Sequence, residues 1–350
     1  MSVERVLVFL LLVAATLGNY INTLWEHRCD PGSEIFACTV PNFLYKPKQN
    51  HSTLIASDTV RKVRLAYPTD KVVVQRDIIV AYDAILHAAL HRPKAVQIAY
   101  VLMQQFEVPV DLEYADFRYN SIETVIAPEV NGSEYALRYL DLRSNDLDRI
   151  DSLKHLVNLE TLLLLGNRIN SLDGSVLKSF TKLSTLNLAG NSIAEVAAGD
   201  LPASLQVLIL RHNGMFGAID FNGAHLPVLK VLDLYNNLFS ELDVDLLLSA
   251  APKLEGIRLD SNYFSTEDAK AIAERLTLAG VAHDQFLKHD HEDSDEVDNF
   301  YRTQEKLKMQ EHIISGMLAV INVCVIGWGF YQVYKSRNGA ATGRENCSSA

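Results

Sequence analysis

The sequence is short of the residue classes that most chemistry requires. Lys and Arg total 32 against 43 Asp and Glu, a formal charge of −11. A nucleic-acid binder needs clustered cations for phosphate, so that partner is not expected. No nucleophile elbow, phosphate-cradling loop or paired-carboxylate motif occurs, which reads as no enzyme and no cofactor. His87 and His91 stand one helical turn apart, but the glutamate of a zinc-protease helix and a third nearby ligand are missing. The run from His289 to Asp293 reads as solvated charge, so no metal is expected either. Only four cysteines occur, Cys29, Cys38, Cys324 and Cys347, and none lies where a cysteine-rich C-terminal cap would need it.

What the chain does have is repetition. From Leu112, Leu137, Leu159, Leu183, Leu205, Leu229 and Leu254 the same phrase begins: apolar residues at the start and three and five positions on, then an asparagine at the eighth. Leu137, Leu140, Leu142 and Asn145 form the cleanest copy. Successive starts are 22 to 25 residues apart, the period of a leucine-rich repeat. The predicted fold class is therefore an α/β repeat: a leucine-rich repeat solenoid, a horseshoe with parallel strands on its concave face. One short strand per coil points its leucines into a shared core. Asn120, Asn145, Asn167, Asn191, Asn213, Asn237 and Asn262 are expected to be structural, binding otherwise unpaired backbone at the turn.

The same reading extends along the chain. Residues 1–18 carry Arg5 and a short apolar run, as in a cleaved signal peptide. Residues 19–92 form an N-terminal cap region in which Val60, Val63 and Leu65 resemble a degenerate strand. Repeats occupy 93–265, the first with Val101 in place of asparagine, for about eight strands. Ser265 to Asp268 starts a helix over 266–282 that is expected to cover the last strand edge. An acidic stalk follows over 283–312. Residues 313–334 are uncharged and long enough for one transmembrane helix, with Lys335 and Arg337 on its cytoplasmic flank. The tail is 335–350. The expected placement is the plasma membrane, single-pass type I, repeats extracellular. In that compartment Cys29 and Cys38 are expected to form a disulfide and Asn50 and Asn131 to be glycosylated; Cys347, in the tail, is either acylated or inert. Ser315, Ala319 and Gly327 on one face of the span, with Asn322 at mid-depth, suit a membrane helix partner.

Side chains alternate along a strand, so the residues between and just beyond the inner leucines face the concave surface. In register these include Arg118, Asp141, Arg143, Leu163, Leu165, Val207, Ile209, Arg211, His212 and Tyr235. Leu163, Leu165, Val207 and Ile209 predict an apolar patch rimmed by Arg143, Arg211, His212 and Tyr235, the mark of a protein-contact site. Asp116, Arg118, Asp141 and Arg143 predict a paired-charge zone beside it. The alternative for the patch is that a glycan, the cap helix or a second copy covers it.

The signal, Cys29 and Cys38 ahead of irregular repeats, the helical cap and the single span together resemble insect leucine-rich repeat proteins. The resemblance is to the transmembrane subclass of the mosquito leucine-rich immune proteins, over most of residues 19–334. It implies a cell-surface recognition protein of innate immunity that binds a protein ligand or microbial surface component. Secreted members of that family pair through cysteines and coiled coils to hold thioester proteins; this sequence has no spare exterior cysteine and no long heptad region for either. A tail of about 16 residues also departs from Toll-type receptors. The alternative function is cell adhesion or a structural role using the same face.

Overall fold

A computed structural model of the chain describes residues 26–28, 30–31, 37–41, 43–48, 53–56, 60–66, 79–130, 134–217 and 220–284. Their main feature is a twelve-stranded sheet whose strand order is the order of the sequence. Its strands are β1 (Asp30–Pro31), β2 (Ala37–Pro41), β3 (Lys62–Ala66), β4 (Ala95–Ile98), β5 (Tyr114–Asp116), β6 (Tyr139–Asp141), β7 (Thr161–Leu163), β8 (Thr185–Asn187), β9 (Val207–Ile209), β10 (Val231–Asp233), β11 (Gly256–Arg258) and β12 (Ala282–His283). Only β1 with β2 is antiparallel; every later pair is parallel.

The register places one buried residue of each coil in a single file: Cys38, Val63, Val96, Ala115, Leu140, Leu162, Leu186, Leu208, Leu232 and Ile257. Leu142, Leu164, Leu188, Leu210, Leu234 and Leu259, two positions on, are buried as well. The core is thus a continuous apolar stack that each coil extends and none completes alone.

The asparagines hold one coil to the next. Asn167 donates to the carbonyls of Leu164 in its own coil (3.0 Å) and Leu142 in the preceding one (2.9 Å), and its Oδ1 accepts from Leu147 N–H (3.1 Å). Asn145, Asn191, Asn213, Asn237 and Asn262 repeat that three-way staple. Asn120 does so too, its Oδ1 taking the N–H groups of Val101 and Met103 and its amide donating to Ile98 and Phe117. Two donors and one acceptor on a short arm are what the site requires, and the amide alone supplies both.

Directly before each asparagine the backbone turns left-handed: Tyr119 (φ 58°), Ser144 (53°), Gly166 (68°), Gly190 (60°), His212 (57°), Asn236 (50°) and Ser261 (58°), with Tyr100 (63°) at the same place ahead of Val101. Only two of these are glycine, although a side chain is disfavoured there.

The sheet reaches further than the expected eight strands. β2 and β3 lie in register upstream, where loops of irregular length and the missing asparagine obscure the period. Outside the sheet, short helices close some coils: α1 (Ala84–Ala89), α2 (Gly174–Ser179) and α3 (Val244–Ala250), each N-capped by an aspartate, Asp83, Asp173 and Asp243. The fourth, α4 (Thr266–Leu278), starts at the cap Ser265 and buries Ala269, Ile272 and Leu276. The edge of β11 is occupied by β12 rather than by α4, because the chain reverses at Gly280 (φ 73°) and returns to the sheet. Helix α4 packs against β12 and against α3, with Arg275 on Asp245. Asp284 then accepts from Leu259 and Asp260 N–H groups, and burial raises its pKa.

Cys38 is buried and disulfide-bonded; Cys29 lies outside the described residues. So do the 1–18 segment, the acceptors Asn50 and Asn131, the stalk beyond Asp284, the 313–334 segment with Asn322, and Cys347. Among the described residues no helix is long and apolar enough to cross a membrane.

Candidate recognition face

Three files of side chains emerge on the face of the sheet opposite the leucine core, and they divide it into three zones. The N-terminal zone holds a doubled pattern, Tyr114, Asp116 and Arg118 on β5 and just after it, and Tyr139, Asp141 and Arg143 on and after β6. Parallel register sets each residue beside its counterpart. Tyr114 and Tyr139 stack at 4.2 Å with planes 6° apart. Asp141 is fully buried, and its carboxylate grips Nε and Nη2 of Arg143 (2.9 and 2.6 Å) while accepting from Arg143 N–H (3.1 Å). Asp116 accepts from Gln97 Nε2 at 2.8 Å and lies 3.4 Å from Arg118 Nε. Burial, and then the neighbouring charge of Asp141, push the Asp116 pKa up. A second stack, Tyr100 on Tyr119 at 4.7 Å and 9°, borders the pair.

The central zone carries no charge on the coils of β7 and β8 or on the outward strand residues of β9, and it ends at Arg211, which follows Ile209 in the file of Leu165 and Ala189. Thr161 and Leu163 on β7, Thr185 and Asn187 on β8, and Val207 and Ile209 on β9 face the same way, followed by Leu165 and Ala189. Beside it the file of strand-entry residues, which pairs Lys94 with Glu113, Arg138 with Glu160 and Lys230 with Glu255, is interrupted by Ser184 and Gln206. Gly166 and Gly190 occupy the left-handed turn only here, so the rim of this zone is bare backbone.

The apolar patch is therefore present but differs in outline from its expectation. Leu163, Leu165, Val207 and Ile209 are half-buried rather than fully exposed. Asn187 stands between Leu163 and Ile209, its Oδ1 taken by Ala189 N–H at 3.0 Å. Val231, 39% exposed and beside Val207, extends the patch; the position directly before the first inner leucine carried that signal and was read only at Val207.

In the third zone Arg211, His212 and Tyr235 meet around Asp233. Arg211 Nη1 and Arg258 Nη1 each lie 3.8 Å from Asp233 Oδ2. Tyr235 N–H donates to Asp233 Oδ1 at 3.1 Å, and its ring receives Arg258 at 4.8 Å and the edge of His212 at 5.2 Å. Of the expected contact residues, Asp141 alone is sealed from solvent. Its work is to orient Arg143, and the i to i+2 hydrogen bond that fixes it recurs at Asn187 and Asp233.

His87 on α1 and His91, which lies past the end of that helix at φ 61°, diverge. Buried His87 bridges Tyr82 Oη (2.7 Å, through Nδ1) and Asp111 Oδ1 (3.1 Å, through Nε2), whereas His91 Nε2 meets the Leu54 carbonyl at 2.9 Å. Burial lowers the His87 pKa. No group of three or more metal-ligating side chains occurs among the described residues.

A solved complex titled LRIM1/APL1C superimposes on 68% of this chain and 46% of its own, with a TM-score of 0.51 and 17% sequence identity. With the asparagine file and the parallel register, that likeness fixes the architecture. The fold is a leucine-rich repeat solenoid. No family model matches the sequence. Among curated proteins the solenoid is similar to Toll-like receptor 9 of Mus musculus, 31% identical over 157 residues, which are 41% of this chain and 15% of that receptor. It is also similar to the MAP kinase phosphatase with leucine-rich repeats protein 1 of Dictyostelium discoideum, 35% identical over 102 residues, 29% of this chain and 12% of that protein. The chain thus spans less than a fifth of the length of either relative.

Proposed function

We propose that the protein is a non-enzymatic recognition module of innate immunity, displayed at the plasma membrane as a single-pass type I protein with its repeats outside. It binds a protein ligand or microbial surface component on the concave face of the solenoid. The observation that carries this reading is the central zone of uncharged strand residues on three consecutive coils, set between Arg143 on one side and Arg211 on the other. Apolar surface flanked by polar, aromatic and arginine side chains is the composition of a protein contact. Likeness to a Toll-like receptor and to the LRIM1/APL1C fold supports a receptor role. The apolar 313–334 segment of the sequence supports the anchorage.

The test is Leu165→Asp combined with Ile209→Asp, both half-buried on the open face. Partners crosslinked to the exterior portion on living cells are recovered by the parent chain and are expected to fall at least tenfold with the variant, at unchanged thermal unfolding. Undiminished recovery by a folded variant removes the central zone from the account.

A further inference from the structure

The N-terminal zone is built more tightly than a solvated ion-pair row needs to be. Arg143 is locked by Asp141 through Nε and Nη2, which leaves Nη1 without a hydrogen-bond partner among the described residues; Arg118 approaches Asp116 through Nε only, which leaves Nη1 and Nη2 likewise. Both side chains are about one-third exposed, so these nitrogens border the open face. The two arginines sit on adjacent coils, joined by the hydrogen bond from Tyr119 N–H to the Arg143 carbonyl at 2.9 Å. Neighbouring strands are about 4.8 Å apart, close enough for two guanidinium edges to share one planar group. Next to them stand Tyr119 and Tyr100, the latter 55% exposed, both bulky residues held in the left-handed region where the central coils use glycine.

We propose that Arg118 and Arg143, flanked by the Tyr100–Tyr119 stack, form a carboxylate clamp for an acidic side chain of the protein that the central zone contacts. This rests on the proposed recognition role and names the chemistry of its partner. Two arginines and the two aspartates behind them sum to no formal charge. A polyanion, which needs uncompensated cations, therefore gains little here, whereas a singly charged planar carboxylate gains directed hydrogen bonds from two guanidinium groups, that of Arg143 already fixed in place by Asp141. Asp141 is the positioning residue and touches no ligand.

The experiment measures fluorescence anisotropy of the full chain with a fluorescein-labelled peptide of three Leu-Glu repeats, its Leu-Gln counterpart and its Leu-phosphoserine counterpart. The Leu-Glu peptide is expected to bind at least tenfold tighter than Leu-Gln. Arg118→Gln with Arg143→Gln erases that preference. Asp141→Asn, although it makes the face more positive, also lowers the preference severalfold, because Arg143 loses its anchor; a purely electrostatic zone would bind the acidic peptide more tightly instead. Leu165→Ser with Ile209→Ser, which adds no charge, weakens both peptides alike and leaves the Glu to Gln ratio within twofold, so failure of the central zone and failure of the clamp are separable. Should the double arginine variant not fold, Tyr100→Ala, on an exposed side chain, is expected to weaken Leu-Glu binding about threefold. No preference for Glu over Gln, a preference untouched by the arginine changes, or tighter binding of the phosphoserine peptide overturns the proposal.

Discussion

Two stretches of this solenoid tie coil to coil by different chemistry. From Asn120 onward each junction is an asparagine amide between two carbonyls and an N–H. Upstream the junctions use titratable groups: Tyr45 on Asp83 at 2.6 Å, and the buried chain from Tyr82 through His87 to Asp111, which Arg92 also holds at 2.9 Å. Both stretches bury the same leucine-type file. The difference is that an amide keeps its donors and acceptor at every accessible pH, whereas the upstream set keeps its pattern only while His87 is neutral and Asp111 is charged.

Breaking the amide staple has the largest expected effect. Asn167→Ala strands the carbonyls of Leu142 and Leu164 and the N–H of Leu147. Each buried group left unpaired costs about 1–3 kcal/mol, so a loss of roughly 3 kcal/mol in urea unfolding is expected. Asn167→Asp fails similarly, because a carboxylate has no donors for the two carbonyls.

The upstream set sharpens the contrast through pH. The folded-state pKa of His87 is lowered, with burial the main cause, so its neutral form contributes stability above the unfolded value near 6.5, and that contribution disappears as pH falls through the folded value. Asp111 is also lowered, since Arg92 and His87 outweigh its burial, and its contribution is lost only further down, below about 3.8. His87→Gln is expected to cost about 2 kcal/mol at neutral pH and to flatten the stability profile between pH 7 and 5. Asn167→Ala should keep the parent slope. Equal slopes in the parent and His87→Gln would sink the assignment.

The smallest effect is a gain. Asp116 has a raised folded-state pKa, so its favourable contribution is complete below about 3.8 and is lost as pH rises through the folded value. At neutral pH the charge beside Asp141 is a liability, and Asp116→Asn is expected to stabilise by about 1 kcal/mol, a gain that shrinks towards pH 4. A constant gain at all pH values would assign it to packing instead.

The contrast also marks what the sequence made legible. The seven consensus coils could be read because the leucine spacing and the asparagine recur together; β2 hid because Cys38 and Val40 fill leucine places with no asparagine to mark the turn. The charge-free patch was visible at Leu163, Leu165, Val207 and Ile209, since alternation along a strand decides which way each side chain faces. How far they project was not, because that depends on the neighbours Asn187 and Ala189. The sealing of Asp141 was hidden for a related reason: a carboxylate in an open-facing file was expected to meet solvent, and only the coordinates show Arg143 folded back over it. The tandem of Tyr, Asp and Arg at alternate positions was the available signal.

Because the sheet follows the order of synthesis, no strand is inserted between two earlier ones. A growing chain can lay each turn on a finished surface without waiting for distant residues, and a pull on the Asp284 end should unwind the molecule as a succession of discrete releases, beginning with the coil most recently laid down.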